Sequence, residues 1–296
     1  MKEKPFSKYQ ILANAVMIIW TLAIILPFIL LFMSSITDEN TLVANGYSFF
    51  PKKFSLASYS YIIKSGGQIL KAYGVSIGVT VVGTLLNVLL SALMAYPLSV
   101  KNLPGRNVMM FFVFFTMLFN GGIVPSYIMW TGTFHIKDTI FAQLLPNFLL
   151  SAWNVMMIRT YFTTSIPDGL YEAAEIDGAS QFTTFWKIVL PLGKPILVTM
   201  GTFAGLAYWN DWTNGLYYIV KNTGLYNVQN LLNQMVQNIQ FLTQSSNSNV
   251  TAAASTIPAT GIQMAIAFVA ILPIMLIFPS FQKYYAKGIA LGAVKG

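Results

Sequence analysis

The chain has 296 residues, of which 55% are hydrophobic and 9% are charged, and its mean hydropathy is +0.62. Soluble domains carry about 25% charged residues, so this composition argues against an ordinary globular enzyme and predicts a membrane protein. The net charge of +8 comes from basic residues scattered at the ends of apolar segments, which does not indicate nucleic-acid binding. With no cysteine and one histidine, the sequence excludes disulfide bonds and thiolate metal sites, and no metal site is expected.

Six segments are long and apolar enough to cross a bilayer, which takes about 20 residues. They are residues 11–33, 75–99, 108–129, 139–158, 196–219 and 259–280. The first segment exceeds the hydrophobic part of a signal peptide, about 7–15 residues, so we predict a retained helix. The expected fold is therefore all-α, with one multi-pass transmembrane domain over residues 1–296 and six transmembrane helices.

The distribution of lysine and arginine predicts the orientation in the membrane. With the N-terminus inside, 11 of the 17 basic residues fall on the inner side and 6 on the outer side. By the positive-inside rule, both termini are expected in the cytoplasm. The loop 159–195 and the tail 281–296 would then be cytoplasmic, and the loops 34–74 and 220–258 would lie outside.

The cytoplasmic loop 159–195 predicts two short helices. Ser165 and Asp168 have the S-x-x-D spacing of a capped helix start, and Gly178 can end that helix in a left-handed conformation. A second helix is expected at about 180–189, with Leu190-Pro191 stopping it. Small alanines and carboxylates on such a surface suit either a solvated connector or a docking site for a basic partner.

Residues 172–191 read EAAEIDGASQFTTFWKIVLP. The pattern E-A-A, three residues, G, nine residues and I-x-L-P resembles the permease signature of binding-protein-dependent ABC importers. The matching residues are Glu172, Ala173, Ala174, Gly178, Ile188, Leu190 and Pro191. The chain length, the predicted spans and the C-terminal GAVKG resemble the smaller permease of maltose-type carbohydrate importers. The stretches NGGIVPSY and WNDW resemble permeases of complex oligosaccharides and polysaccharide fragments.

The resemblance implies a type I ABC importer permease fold in a bacterial cytoplasmic membrane. It implies a heterodimer with a second homologous permease, two ATPase subunits on the cytoplasmic side and an extracellular solute-binding protein. This chain itself is expected to contact membrane lipid and no nucleic acid. The helix at 168–178 would be the coupling helix in a cleft of one ATPase. ATPase coupling is assigned to the signature residues together with Asp177, and Glu172 would meet a basic residue there.

No G-x-x-x-x-G-K-[ST] phosphate-binding loop occurs in the sequence. ATP and Mg are therefore expected on the partner ATPases, and this chain is expected to bind no cofactor, to have no catalytic residue and not to be an enzyme. The tail KYYAKGIALGAVKG resembles one that reaches between paired ATPases.

The fifth predicted span contains AYWNDWTNGLYY, a candidate solute pathway. Tyr208 and Trp212 are four residues apart, as are Asn210 and Asn214, so each pair would share a helical face. Asp211 is the only carboxylate inside a predicted span, and such residues are candidates for function. The rings equally suit an aromatic belt at the outer interface, and the polar groups equally suit hydrogen bonding between helices.

Other polar or broken segments have two interpretations. Asn120 in FNGGIVP marks a break that either lines a pathway or is tolerated as membrane-helix Gly and Pro often are. Asn87, Asn147 and Asn154 are expected to join helices. Apolar residues recur at helical spacing over 228–242, which predicts an amphipathic helix that lies at the outer interface or docks the solute-binding protein.

Three alternatives stay open at this point. An ion-coupled secondary transporter would show internal repeats and ionisable groups within the spans, and the interiors of spans two to four carry no charge. An ABC permease for a non-carbohydrate solute would keep the same signature. A membrane-embedded enzyme would need clustered catalytic groups, which the spans do not contain.

Overall fold

The chain folds into α-helices joined by short loops, as described by a computed structural model for residues 8–64, 66–244 and 259–293. Within those ranges the only extended pairing is one isolated bridge between Thr37 and Phe54. The prediction of an all-α chain is therefore confirmed for this part of the sequence. Residues 245–258 of the predicted outer loop 220–258, and the last three residues of the predicted tail 281–296, lie outside the described residues.

The helices have the following bounds in chain order. They are α1 Lys8–Ser35, α2 Glu39–Asn45, α3 Ala57–Lys64, α4 Gly66–Ser99, α5 Arg106–Leu118, α6 Ile123–Ile128, α7 Phe141–Leu144, α8 Ala152–Ser165, α9 Asp168–Ile176, α10 Gln181–Thr184, α11 Leu190–Leu192, α12 Lys194–Asn210, α13 Thr213–Tyr218, α14 Val228–Gln244 and α15 Ala259–Ala293. Two π-helical turns extend α6 and join α10 to α11, at Met129–Thr133 and Phe185–Val189.

Two of the described helices, Tyr9–Ser35 and Gly67–Ser99, are long and apolar enough to cross a membrane. Two bent helix pairs raise that number to four if each pair is one span, and Thr260–Leu276 is a shorter apolar helix. The predicted span 139–158 corresponds to two helices, α7 and the first half of α8, separated by residues 145–151. Six spans remain a prediction.

The chain divides into two compact units. The first comprises residues 1–69 and 232–273. Within it the Phe32 and Phe268 rings pack with centroids 4.8 Å apart. The Glu39 carboxylate accepts the N–H groups of Thr260 and Gly261 at 2.9 and 2.8 Å. A carboxylate at this position satisfies first-turn donors of α15 and complements the helix dipole.

The second unit comprises residues 70–231 and 274–296. Its main apolar core joins α4, α5, α8, the π turn after α10 and α12. The fully buried members with the largest side chains are Phe162, Phe185, Leu98, Ile158 and Met200. Gly201 of α12 lies against Val88, and Gly205 lies against Thr84 of α4. Small residues at such contacts let membrane helices approach closely.

Candidate functional site

The first helix of the loop 159–195, α9, begins differently from the prediction. Ser165 is the last residue of α8, and Pro167 precedes α9 in an extended conformation without a side-chain cap. The S-x-x-D interpretation was therefore wrong: Ser165 is used to finish one helix and cannot cap the next. Instead, Asp168 at the start of α9 pairs with Lys101, which follows α4.

The end of α9 matches the prediction. Gly178 has a φ of +71°, in the left-handed region that favours glycine. Its N–H donates to the carbonyl of Glu175 at 3.0 Å, and the N–H of Ala179 donates to the carbonyl of Ala174 at 2.9 Å. A Cβ on Gly178 would meet no atom within 4 Å, so glycine is required there by backbone conformation and not by space.

The second helix of the loop runs further than predicted. The Ser180 side chain accepts the N–H of Thr183 at 3.2 Å and starts α10. The following π turn ends at Val189, and Pro191 lies in the first turn of α11. The expected stop at Leu190-Pro191 was wrong because proline is tolerated in a first helical turn, where its missing N–H has no intrahelical partner.

The loop is fixed firmly to the end of α4. The Tyr96 hydroxyl donates to Oε1 of Gln181 at 2.6 Å. The Tyr96 ring packs against Phe185 and Tyr171, with centroids 5.4 and 6.3 Å away. Phe185 and Val189 are buried in the core. An aromatic cluster, a hydrogen bond and an ion pair therefore join the loop to α4 and the residues that follow it.

The E-A-A triplet has two exposed residues and one residue buried within the protein. Ala174 is 5% exposed and packs inward, whereas Glu172, Ala173, Asp177 and Gly178 are exposed. Of the remaining signature residues, Ile188 and Leu190 are half-buried and Pro191 is exposed. The carboxylates of Glu172, Glu175 and Asp177 form no hydrogen bond or ion pair with the described part of the chain.

Sequence reasoning missed one apolar residue on this surface. Ile176 is 86% exposed at the end of α9, between Glu175 and Asp177. No sequence signal distinguished it, because single apolar side chains are common on protein surfaces.

The fifth predicted span is broken. Helix α12 ends at Asn210, Asp211 is extended, and α13 starts at Thr213. The predicted shared faces were therefore wrong, since they assumed a continuous helix. Tyr208 is 2% exposed, and Trp212 is 42% exposed. The Tyr208 hydroxyl donates to the Leu144 carbonyl at 2.9 Å.

Asp211 caps the helix that follows the break. Its Oδ1 accepts the N–H groups of Thr213 and Asn214 at 3.0 and 3.3 Å. The residue is 5% exposed, and its Oδ2 is buried with no hydrogen-bond partner in the described chain. The Asp211 side chain therefore bonds to the backbone that directly follows it, and these bonds are not the predicted ones between helices.

Amide side chains satisfy the backbone at the break. Asn227 donates to the Asp211 carbonyl at 2.6 Å, and Asn230 donates to the Trp212 carbonyl at 2.5 Å. Gln143 donates to Oδ1 of Asn230 at 3.1 Å. Non-helical backbone at membrane depth requires such partners. The sequence signal that was missed is a pair of asparagines three residues apart at the start of α14.

A second set of amides joins helices as predicted. Asn214 is fully buried, donates to the Pro146 carbonyl at 3.1 Å and accepts from Asn147 at 3.2 Å. Asn154 donates to Oδ1 of Asn87 at 2.7 Å, and Asn87 donates to the Phe148 carbonyl at 2.6 Å. Asn87 and Asn154 therefore join α4 to α8 as predicted, whereas Asn147 joins the loop 145–151 to α13.

The break at Asn120 is also present. The axes on its two sides, Arg106–Leu118 and Ile123–Thr133, are bent by 109°. Oδ1 of Asn120 accepts the Gly122 N–H at 2.8 Å, and Gly122 has a φ of +84°.

The predicted pathway residues fall into two groups. Tyr208, Asp211 and Asn214 are buried at the fifth-span break. Asn120 and Asn210 are exposed, and Asn210 donates to the Leu206 carbonyl of its own helix.

Comparison with known proteins decides the family. Residues 72–291 match the family described as binding-protein-dependent transport system inner membrane component. The chain belongs to this family. It is therefore a membrane transport permease that works with other ABC components and is not an enzyme, which confirms the resemblance inferred from the E-A-A signature.

Similar proteins cover nearly the whole permease. The protein LplC of Bacillus subtilis is 36% identical over 92% of this chain and 90% of its own length. The polygalacturonan/rhamnogalacturonan transport system permease YtcP of the same species is 35% identical over 97% and 98% of the two chains. A crystal structure of a bacterial ABC transporter that imports the acidic polysaccharide alginate contains a chain 26% identical, with a TM-score of 0.80, covering 96% of this chain and 100% of that one.

Proposed function

We propose that this permease carries an oligosaccharide from an extracellular binding protein into the cytoplasm. Two of its relatives are named for the transport of polygalacturonan and rhamnogalacturonan, or of alginate. Both kinds of cargo are uronic-acid polymers or contain uronic acid, so acidic oligosaccharides are the first substrates to test. A non-carbohydrate solute is the alternative cargo.

The observation that supports an ATP-driven mechanism is the exposed acidic end of α9, on a loop that contacts α4. Glu172 and Asp177 have no partner in the described chain and face outward. Ala173 and Gly178 leave room for a close approach. We propose that this surface, with Ile188, Leu190 and Pro191 behind it, docks an ATPase subunit, and that Glu172 meets a basic residue there.

The full complex would contain a second homologous permease, two ATPase subunits and a solute-binding protein. ATP and Mg would bind to the ATPases. This permease would contribute six spans with both termini in the cytoplasm. Closure of the ATPases would move α9, and the aromatic cluster around Tyr96 would transmit that motion to α4 and so alternate access to the pathway.

The geometry divides the proposed pathway residues into two groups. Trp212, Asn210 and Asn120 are exposed and available to a solute. A tryptophan and two asparagines suit a sugar, because its C–H faces can stack on the aromatic ring and its hydroxyl groups can hydrogen-bond to the amides. Tyr208, Asp211 and Asn214 are buried, and we propose that they support the pathway by holding the helix break.

The direct test is purification of this chain from its native membrane with identification of the bound proteins. Recovery of a second permease, an ATPase and a binding protein supports the importer, and that binding protein is then screened against neutral oligosaccharides, uronic-acid oligosaccharides, amino acids and peptides. Binding only of peptides or amino acids would overturn the carbohydrate assignment. Uptake by this chain alone, driven by an ion gradient, would overturn the ABC assignment.

A further inference from the structure

An apolar cavity of about 520 Å³ lies among three helices of the second unit. Its walls include Met94 and Leu98 of α4, Phe112 and Val113 of α5, and Val155 of α8. The cavity opens to the surface beside Phe112, which is 61% exposed. It is separate from the fifth-span break, because none of the residues of that break lines it.

The lining of this cavity suits hydrocarbon and does not suit a sugar. Of the residues that line it, only Thr116 has a polar side chain, and its hydroxyl already donates to the Val113 carbonyl at 2.8 Å. A sugar would lose the hydrogen bonds of its hydroxyl groups there, which costs free energy. An alkyl chain would lose none.

Two of the helices that form the cavity each carry an arginine close in sequence to a wall residue. Arg106 begins α5, and Met109 and Val113, three and seven residues later, continue its face into the cavity wall. Arg159 lies on α8 four residues after Val155, and helical side chains lean back toward the N-terminus, here toward the cavity. Nε of Arg159 donates to the carbonyl of Leu98, another wall residue, at 3.1 Å.

The two positive charges lack compensation. The guanidinium groups are close enough to repel each other. In the described chain the ion pairs are Lys53–Asp38 and Lys101–Asp168, so neither arginine has a carboxylate partner there. Nε of Arg106 is buried without a hydrogen-bond partner among the same residues. A buried donor of this kind favours an added anion.

We propose that this site binds an anionic phospholipid of the inner leaflet, with an acyl chain in the cavity and the phosphate between Arg106 and Arg159. Arginine matches the oxygens of a phosphate in a bidentate arrangement, and basic pockets between transmembrane helices on the cytoplasmic side bind lipid head groups. A helix of the second permease is a poorer occupant. It is about 10–12 Å wide, so this cavity would hold only about one turn of it.

The test uses the intact assembly purified through this chain in detergent. Native mass spectrometry counts the phosphatidylglycerol that stays bound in competition with phosphatidylcholine. Arg106→Gln is expected to lower phosphatidylglycerol retention about fivefold, which corresponds to about 1 kcal/mol per basic residue at an anionic surface. Thr116→Trp, which fills the cavity from an exposed position, is expected to reduce retention of both lipids.

Lys194→Gln is the matched control, since it removes one positive charge at an exposed position that does not line the cavity. It should leave retention unchanged. Equal retention of the two lipids by the unmodified chain, or no effect of Arg106→Gln, would overturn the proposal. Cross-linking of Phe112 to the second permease in place of lipid would also overturn it. The readout is bound lipid, so failure of the oligosaccharide assignment leaves this test intact.

Discussion

The proposed coupling loop, residues 159–195, and the broken fifth span, formed by α12 and α13, use polar side chains in opposite ways. In the coupling loop, Glu172 and Asp177 point outward and have no partner in the described chain. In the broken span, Asp211 and Asn214 are buried and bond to neighbouring backbone and amide groups. Exposed carboxylates on a rigid frame are available to another subunit, whereas buried, partnered amides stabilise an irregular backbone.

This difference predicts two classes of variant. Changes on the exposed face of α9 should weaken assembly with the ATPase and leave the stability of the isolated permease unchanged. Changes in the broken span should lower stability, and their effect on assembly should follow only from that loss. Each prediction below tests one side of this distinction.

The largest effect is expected for Glu172→Lys. A lysine here would place like charges together at the proposed interface, which costs several kcal/mol. ATPase affinity should fall about 100-fold, since about 1.4 kcal/mol corresponds to a factor of ten. The measurement is titration of purified ATPase onto the permease, with thermal unfolding of the permease measured in parallel. Glu172→Gln, which removes the charge without reversing it, should have a smaller effect. Unchanged ATPase binding by both variants would end the coupling assignment for Glu172.

The second prediction concerns Asn214→Leu. Leucine has a similar shape but leaves the buried Pro146 carbonyl without its donor, which costs about 1–3 kcal/mol. The unfolding temperature should fall by several degrees in a detergent melt. Asn210→Leu makes the same chemical change at an exposed position whose amide bonds only within its own helix, so it should have little effect. Equal melting curves for the two variants would show that burial does not distinguish these asparagines.

Gly178→Ala and Gly169→Ala form a matched pair on α9. Alanine at position 178 must adopt a left-handed conformation, which costs about 1–2 kcal/mol. Alanine at position 169 lies in an exposed helical turn with no atom within 4 Å, so it should stabilise the helix by about 0.5–1 kcal/mol. The expected result is weaker ATPase binding for the first variant and unchanged or stronger binding for the second. The same change in ATPase binding for both variants would mean that the left-handed conformation at the end of α9 does not matter for docking.

The smallest effect is expected at Asp138, on the predicted outer side. Its Oδ1 accepts the N–H groups of Val220, Lys221 and Asn222 at 2.7, 2.8 and 3.2 Å. These donors, Lys221 foremost, hold the pKa of the Asp138 carboxyl below its usual value. A lowered folded pKa stabilises the fold above the unfolded pKa of about 3.9, and that stabilisation is lost as the pH falls through the folded pKa.

Asp138→Asn should therefore melt below the unmodified chain at pH 7, and the difference should shrink on acidification below about pH 4. ATPase binding should not change, because these partners belong to the same chain. A pH-independent difference would mean that the carboxylate charge is not what the three N–H groups stabilise.

Much of the fold could be predicted from local sequence. Continuous apolar segments predicted α1 and α4, and Gly178 predicted the end of α9, because hydropathy and glycine conformation are local properties. The break after Asn210 could not be predicted this way. Residues 206–219 read as one helix, and the donors that satisfy the break, Asn227 and Asn230, lie beyond it in the sequence.

The candidate site shows the same limit. The E-A-A signature indicated the surface that we propose for coupling, but only the structure separates inward-facing Ala174 from outward-facing Ala173. The aromatic and ion-pair contacts from α4 that fix this surface join residues more than 65 positions apart, such as Tyr96 with Gln181 and Lys101 with Asp168. Pairings over such separations leave no periodic pattern in a single sequence.

Site-specific cross-linking at Ala173 tests the central claim most directly. The chain has no cysteine, so Ala173→Cys creates a single reactive position on the exposed face of α9. A short thiol-to-amine cross-linker is applied in native membranes, and the product is identified by mass spectrometry, with Asn210→Cys as the control. If α9 docks an ATPase, an ATPase subunit is linked to position 173 and none is linked to position 210. Efficient labelling of position 173 by a small thiol reagent, with no ATPase product in membranes that contain the ATPase, would contradict it.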